Sequence, residues 1–223
     1  YVFLAGIYGD QNYGLDSAFV DTNGNASFKF DSLLKGGLYL IAFPDKKLAQ
    51  ILIDKEQHFT LEFDKADIIN SMKIKGSLDN ELLYRNLKFE AENTKRSNLV
   101  QQQLKESESN SETHKKLEAE LQSLKNERKS HIEWFSANYP NNFFTKFKVA
   151  GQNPEFKKVF RPDGSVDDAA EVYNYRNEFW DGYDFSDERL LRTPVYFNKL
   201  KRYIKDITPQ VPDSIIKYAD IVT

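Results

Sequence analysis

The densest concentration of reactive side chains is the run Trp180-Asp181-Gly182-Tyr183-Asp184-Phe185-Ser186-Asp187-Glu188-Arg189. Paired carboxylates carry out glycoside hydrolysis, one protonating the leaving oxygen while the other attacks or activates water, and clustered oxygens also ligate divalent cations. Asp181, Asp184, Asp187 and Glu188 are the candidates for either role. Carboxylates just ahead of a helix also cap it and meet its positive end, and Arg189 and Arg192 are near enough in sequence to neutralise them, so capping is the expected role. A second acidic run, Asp163, Ser165, Asp167 and Glu171, has the spacing of a calcium loop. It carries Asp168 where that loop needs glycine and Asn174 where it needs glutamate, and so reads as an acidic turn into a helix. His58, His114 and His131 show no metal-ligand spacing, no G-x-S-x-G elbow occurs, and Gly36-Gly37 reads as a turn rather than a phosphate loop. The absence of cysteine excludes disulfides, thiolate metal sites and a thiol nucleophile from this chain. No catalytic residue, cofactor or metal ligand is therefore assigned to it.

The elements that must position these residues fall into two halves, an α+β arrangement with the strands first. At 223 residues and 40% hydrophobic content the chain can bury a substantial core. Its 31 basic and 34 acidic side chains are interspersed, which gives no electrostatic footprint for nucleic acid. The longest apolar run, Leu38 to Phe43, is far short of the ~20 residues that span a bilayer. Up to residue 76 the pattern predicts short strands over 2–8, 15–21, 25–30, 38–43, 48–54 and 57–63, joined as a small antiparallel β-sandwich. Asp21-Thr22-Asn23-Gly24 is a hairpin signal, because Asn and Gly tolerate the positive φ of tight turns. Phe59, Leu61 and Phe63 alternate with polar residues, whereas residues 38–43 are apolar on both faces and belong in the centre of a sheet.

From residue 77 the signals are helical. Ser77 or Asp79 can cap a long helix, and Leu117, Leu121, Leu124, Arg128, His131 and Phe135 recur at spacings of four and three along one seam of another. The polar stretch 105–113 reverses the chain, so a long helical hairpin is expected over about 78–138, the first helix showing a weak apolar stripe through Leu83, Leu87 and Ala91. Shorter helices follow over about 142–222. Val172, Tyr175 and Phe179 share one face, while Phe197, Leu200 and Ile204 share another on a helix capped by Thr193 and begun by Pro194. The apolar pattern of Ile215, Ile216, Tyr218, Ile221 and Val222 is still running at Thr223, and Tyr1 already lies in a strand pattern, so the chain reads as a fragment.

Two stretches carry a family resemblance. Residues Leu15 to Asp21 with Asn23-Gly24, then Gly37-Leu38-Tyr39-Leu40 and Ile74-Lys75-Gly76-Ser77, together with the run Phe179 to Pro194, make the chain similar to the N-terminal region of thioredoxin-like thiol-disulfide oxidoreductases of the Gram-negative bacterial envelope. The resemblance implies a β domain (1–76) followed by a helical domain (77–223). A C-terminal thioredoxin-like domain with a Cys-x-x-Cys pair would then follow, and a signal or lipid anchor would precede, placing the protein in the periplasm or at the cell envelope. The implied role here is that of a non-catalytic accessory module, contacting the redox domain, substrate proteins or a second copy; because aromatic and Arg anchors dominate interfaces, Trp180, Tyr183, Phe185 and Arg189 are the candidate contact surface, with a core role the first expectation for the three aromatics. A surface module for glycans or host proteins is the alternative function for small strands followed by helices.

Overall fold

The computed structural model describes residues 1–220. Its sheet is built from β1 (Val2–Tyr8), β2 (Gln11–Ala18), β3 (Gly37–Ala42) and β4 (Leu48–Ile53), antiparallel throughout in the order β2-β1-β3-β4. β1 and β2 join through a two-residue turn in which Gly9 takes a φ of 62°, so Tyr8 pairs with Gln11 and β2 begins earlier than the expected residue 15. The expected strand at 25–30 does not form. Asp21 does close its turn, accepting the backbone N–H groups of Asn23 and Asn25, but the chain then leaves the sheet edge. It lays Phe28 and Leu34 over the face made by Leu4, Tyr39 and Ile51, a burial that running on as an exposed edge strand would forgo.

A separate two-stranded ribbon pairs β5 (Thr60–Glu62) with β6 (Lys73–Lys75), and the one-turn helix α1 (Ile68–Ser71) lies between them. Neither α1 nor β6 is legible in the apolar pattern. α2 (Leu78–Glu106) then starts at Ser77, whose hydroxyl accepts the Asn80 N–H. Asp79 caps a different helix. Its carboxylate accepts the Phe144 N–H at 2.9 Å, at the start of α4 (Phe143–Ala150), whose own N-cap Asn142 makes no such bond. Asn80 is fully buried and closes the outer edge of β4, its amide oxygen accepting the Leu52 N–H at 2.8 Å and its amide nitrogen donating to the Leu52 carbonyl at 2.7 Å. Side chains of α2 thus take the place of a neighbouring strand there, Asn80 at Leu52 and Tyr84 at the Gln50 backbone.

α3 (Glu112–Asn138) lies antiparallel to α2, as contacts between Arg96 and Glu127, Asn93 and Leu124, and Glu90 and Arg128 show. On α3 the seam is buried at Leu124 and Phe135, while Arg128 is exposed and turns back to Glu90. On α2 the expected stripe holds at Leu83, which is buried, and Leu87, which packs on the core, but not at Ala91, which is exposed; Asn86, Asn93 and Val100, seven residues apart, are buried as well. Beyond α4 come α5 (Asp168–Asn177), a 3₁₀ turn over Glu188–Arg192, α6 (Pro194–Arg202) running into a wider turn at Tyr203–Ile207, and α7 (Pro212–Ala219). Thr193 caps α6 and Pro194 occupies its first turn. Tyr175 and Phe179 are buried as their shared face requires, but Val172 is exposed. The pattern residues Ile221 and Val222 lie outside the described residues.

The main core crosses the change from strands to helices at Gly76. Ile7, Leu38 and Leu52 from the sheet pack with Leu83, Phe135 and Leu190 from the helices in one cluster. A second cluster gathers Tyr175, Phe179, Trp180, Tyr203 and Tyr218. No described helix is long and apolar enough to cross a membrane.

Candidate functional site

The run from Phe179 to Pro194 connects these two clusters, and its geometry follows from short-range hydrogen bonds. Asp184 folds back on Ser186, accepting its backbone N–H at 3.0 Å and its hydroxyl at 2.6 Å, and these bonds hold its carboxyl below the usual carboxylate range. Asp187 caps the 3₁₀ turn through the Arg189 N–H and takes two further bonds from the Arg189 guanidinium, at 2.7 and 2.6 Å. Those bonds lower the Asp187 pKa and raise that of Arg189. The third arm of Arg189 donates to Asp54, at the end of β4, at 2.7 Å, while its guanidinium lies 4.6 Å from the centre of the Phe143 ring. Glu188, exposed, faces Arg192 at 3.7 Å.

The two glycines at 36–37 have their reason here. A Cβ on Gly36 would stand 2.8 Å from Arg189 Cδ, and one on Gly37 would stand 2.5 Å from Arg192 Cβ, so both are needed for the 3₁₀ turn to seat against the sheet. The Gly9 N–H donates to the Leu191 carbonyl on the same seam.

Of the four residues read as a contact surface, the structure brings three together and sets the fourth apart. Trp180, Tyr183 and Phe185 form a triangle of rings 5.4, 5.2 and 4.8 Å apart. Trp180 is buried, Tyr183 half-buried and Phe185 52% exposed. Arg189 points away from them, into its bridge between Asp187 and Asp54. Of the four candidate acids, Asp184, Asp187 and Glu188 are bound to Ser186, Arg189 and Arg192, and Asp181 lies exposed. No group of three or more Asp, Glu, His or Cys among the described residues is placed to hold a metal ion.

Two buried cations escape the sequence pattern. Lys199 is 5% exposed, donates to the Gln152 carbonyl at 2.7 Å and sits 4.4 Å from the Phe179 ring centre; burial, with Arg202 nearby, pushes its pKa down to about 8. Arg176 donates to the Tyr218 hydroxyl and to the Ile207 carbonyl, each at 2.9 Å. Both lie on helices that also carry exposed charged residues, where nothing in spacing separates a solvated cation from one turned inward.

Compared with known proteins, the chain matches no family model, no curated protein and no solved structure.

Proposed function

We propose that this chain is a non-catalytic accessory module of an envelope thiol-disulfide oxidoreductase, positioning a thioredoxin-like redox domain and offering partner proteins a contact surface. In this reading residues 1–76 act as a small sandwich-like domain, and α2 with α3 as a long hairpin that reaches toward the redox domain. The setting is the periplasm or a membrane surface. The observation that carries the reading is how the run Phe179–Pro194 distributes its side chains. Its acids at 184, 187 and 188 are held by neighbours, while Phe185 stands exposed on a base of packed rings. An aromatic anchor fixed from behind loses little freedom on docking, which is what a protein contact needs.

The test uses the polypeptide that joins this chain to its redox domain. Phe185→Ala is expected to slow turnover of a protein disulfide by about tenfold, the loss of one anchor, while turnover of a small-molecule disulfide stays unchanged. Equal turnover of the protein disulfide, with self-association also unaltered, would remove Phe185 as a contact. A chain continuing past Thr223 without a Cys-x-x-Cys would remove the oxidoreductase assignment.

A further inference from the structure

The two edges of the four-stranded sheet are treated differently. On the β4 edge Asn80 takes up the Leu52 backbone groups, whereas β2 has β1 on one side and, among the described residues, no strand on the other. Gln11, Asn12, Tyr13, Gly14, Asp16 and Ser17 are all exposed. Exposed edges are ordinarily blunted by lysine, proline, other charges or a bulge, and β2 has only Asp16 and a bulge at Leu15 for this.

Charge sharpens the contrast. The first 28 residues contain three aspartates and no lysine or arginine, in a chain that has 31 basic side chains. Asp10 and Asp16 make only local bonds, to the Gln11 side chain and the Ser17 N–H, and neither forms an ion pair among the described residues. Just past the strand, Phe19 meets Tyr1 edge to face at 5.6 Å, and both rings are two-thirds exposed, at 66% and 67%.

We propose that β2 accepts an extended, lysine- or arginine-bearing polypeptide segment as a fifth strand, with an apolar side chain resting on the Tyr1–Phe19 pair. Backbone hydrogen bonds supply the attachment, and Asp10 and Asp16 select the charge. A second copy of the chain fits less well. It would set these aspartates against an equally acidic strand, and β2 carries an extra residue, Leu15, between the partners of Leu4 and Ala5. Such a bulge bends and twists an edge, which one flexible strand follows more easily than a second folded sheet does. This surface is distinct from the Phe185 patch and extends the accessory-module reading, so either can fail without the other.

The experiment titrates the 223-residue chain with labelled eight-residue peptides, following fluorescence anisotropy, with sedimentation run alongside. An alternating Lys–Val peptide is expected to bind saturably. The same peptide with two prolines at its centre, unable to form a strand, should bind at least about tenfold more weakly, and a Glu–Val peptide should not compete. In the chain with Asp10→Lys and Asp16→Lys, both exposed positions, the preference should invert to Glu–Val. Four outcomes overturn the proposal: no saturation by Lys–Val at about 1 mM, equal binding of the proline peptide, an unchanged preference in the double variant, or dimerisation of the chain that peptide does not displace.

Discussion

His131 shows how a single side chain ties local packing to solution behaviour. Its ring stacks on Phe89 at 3.8 Å and meets Phe135 edge-on at 4.7 Å, with Nε2 buried and no hydrogen-bond partner among the described residues. Burial, together with the charge of Lys148, pushes its pKa from 6.5 down to about 4. Between these two values the unfolded chain binds a proton that the folded chain refuses, so this residue makes stability fall as pH drops from 6.5 toward 4 and contributes nothing to pH dependence above 6.5. Burial works to raise the Glu90 pKa, but the bonds from Lys148 and Arg128 together bring it below the usual carboxylate value, so this residue loses its own contribution at lower pH, as its carboxylate takes up a proton. His131→Leu should therefore gain stability relative to the parent at pH 5 but not at pH 8, read as the difference in urea midpoints. An identical pH slope in both proteins would contradict this assignment. The histidine's place on a helical seam is legible from its spacing to Leu124 and Phe135. Its lack of a hydrogen bond is not, since that depends on which groups α2 and α4 bring against it.

At the scale of elements, legibility follows the range of the forces. The starts of α2 and α6 are set by neighbours in sequence, Ser77 and Thr193-Pro194, and can be read directly. The segment 25–30 has the alternation of a strand, yet its position is decided by a distant apolar face that Phe28 can cover. The apolar stripe follows the inner face of α2 only part of the way: Leu83 is buried and Leu87 packs on the core, but Ala91 is exposed, and Asn93, which looks like a surface residue, is buried where α3 meets it. Asn93 donates to the Leu124 carbonyl at 3.1 Å across the pair. A buried polar group at such a position fixes one alignment at some expense of stability. Asn93→Leu should thus raise the stability of the chain by roughly 1 kcal/mol while broadening its association states, visible as a higher thermal midpoint with heavier species in sedimentation. A lower midpoint with the monomer retained would show the amide to be stabilising instead.

For the molecule as a whole, the acidic-aromatic run is recognisable in the sequence as important, but its candidate roles there are all local. Its largest effect is long-range, because Arg189 reaches Asp54 across 135 residues. Arg189→Met would leave two partly buried carboxylates without their cation, a loss of about 2 to 4 kcal/mol. Hydrogen exchange should then speed up in β3 and β4 as well as around the 3₁₀ turn, since they share one core. Acceleration confined to residues 185–195 would mean that the sheet stands without the bridge. The same separation orders events in time. A ribosome finishes the four strands long before it delivers Leu190 and Arg189, and until then Ile7 and Leu38 have no cover from that side. Leu83 and Phe135 arrive earlier and cover part of the sheet face, but the young chain must wait for Leu190 before the rest is sealed, an interval in which it is open to aggregation and to capture by chaperones.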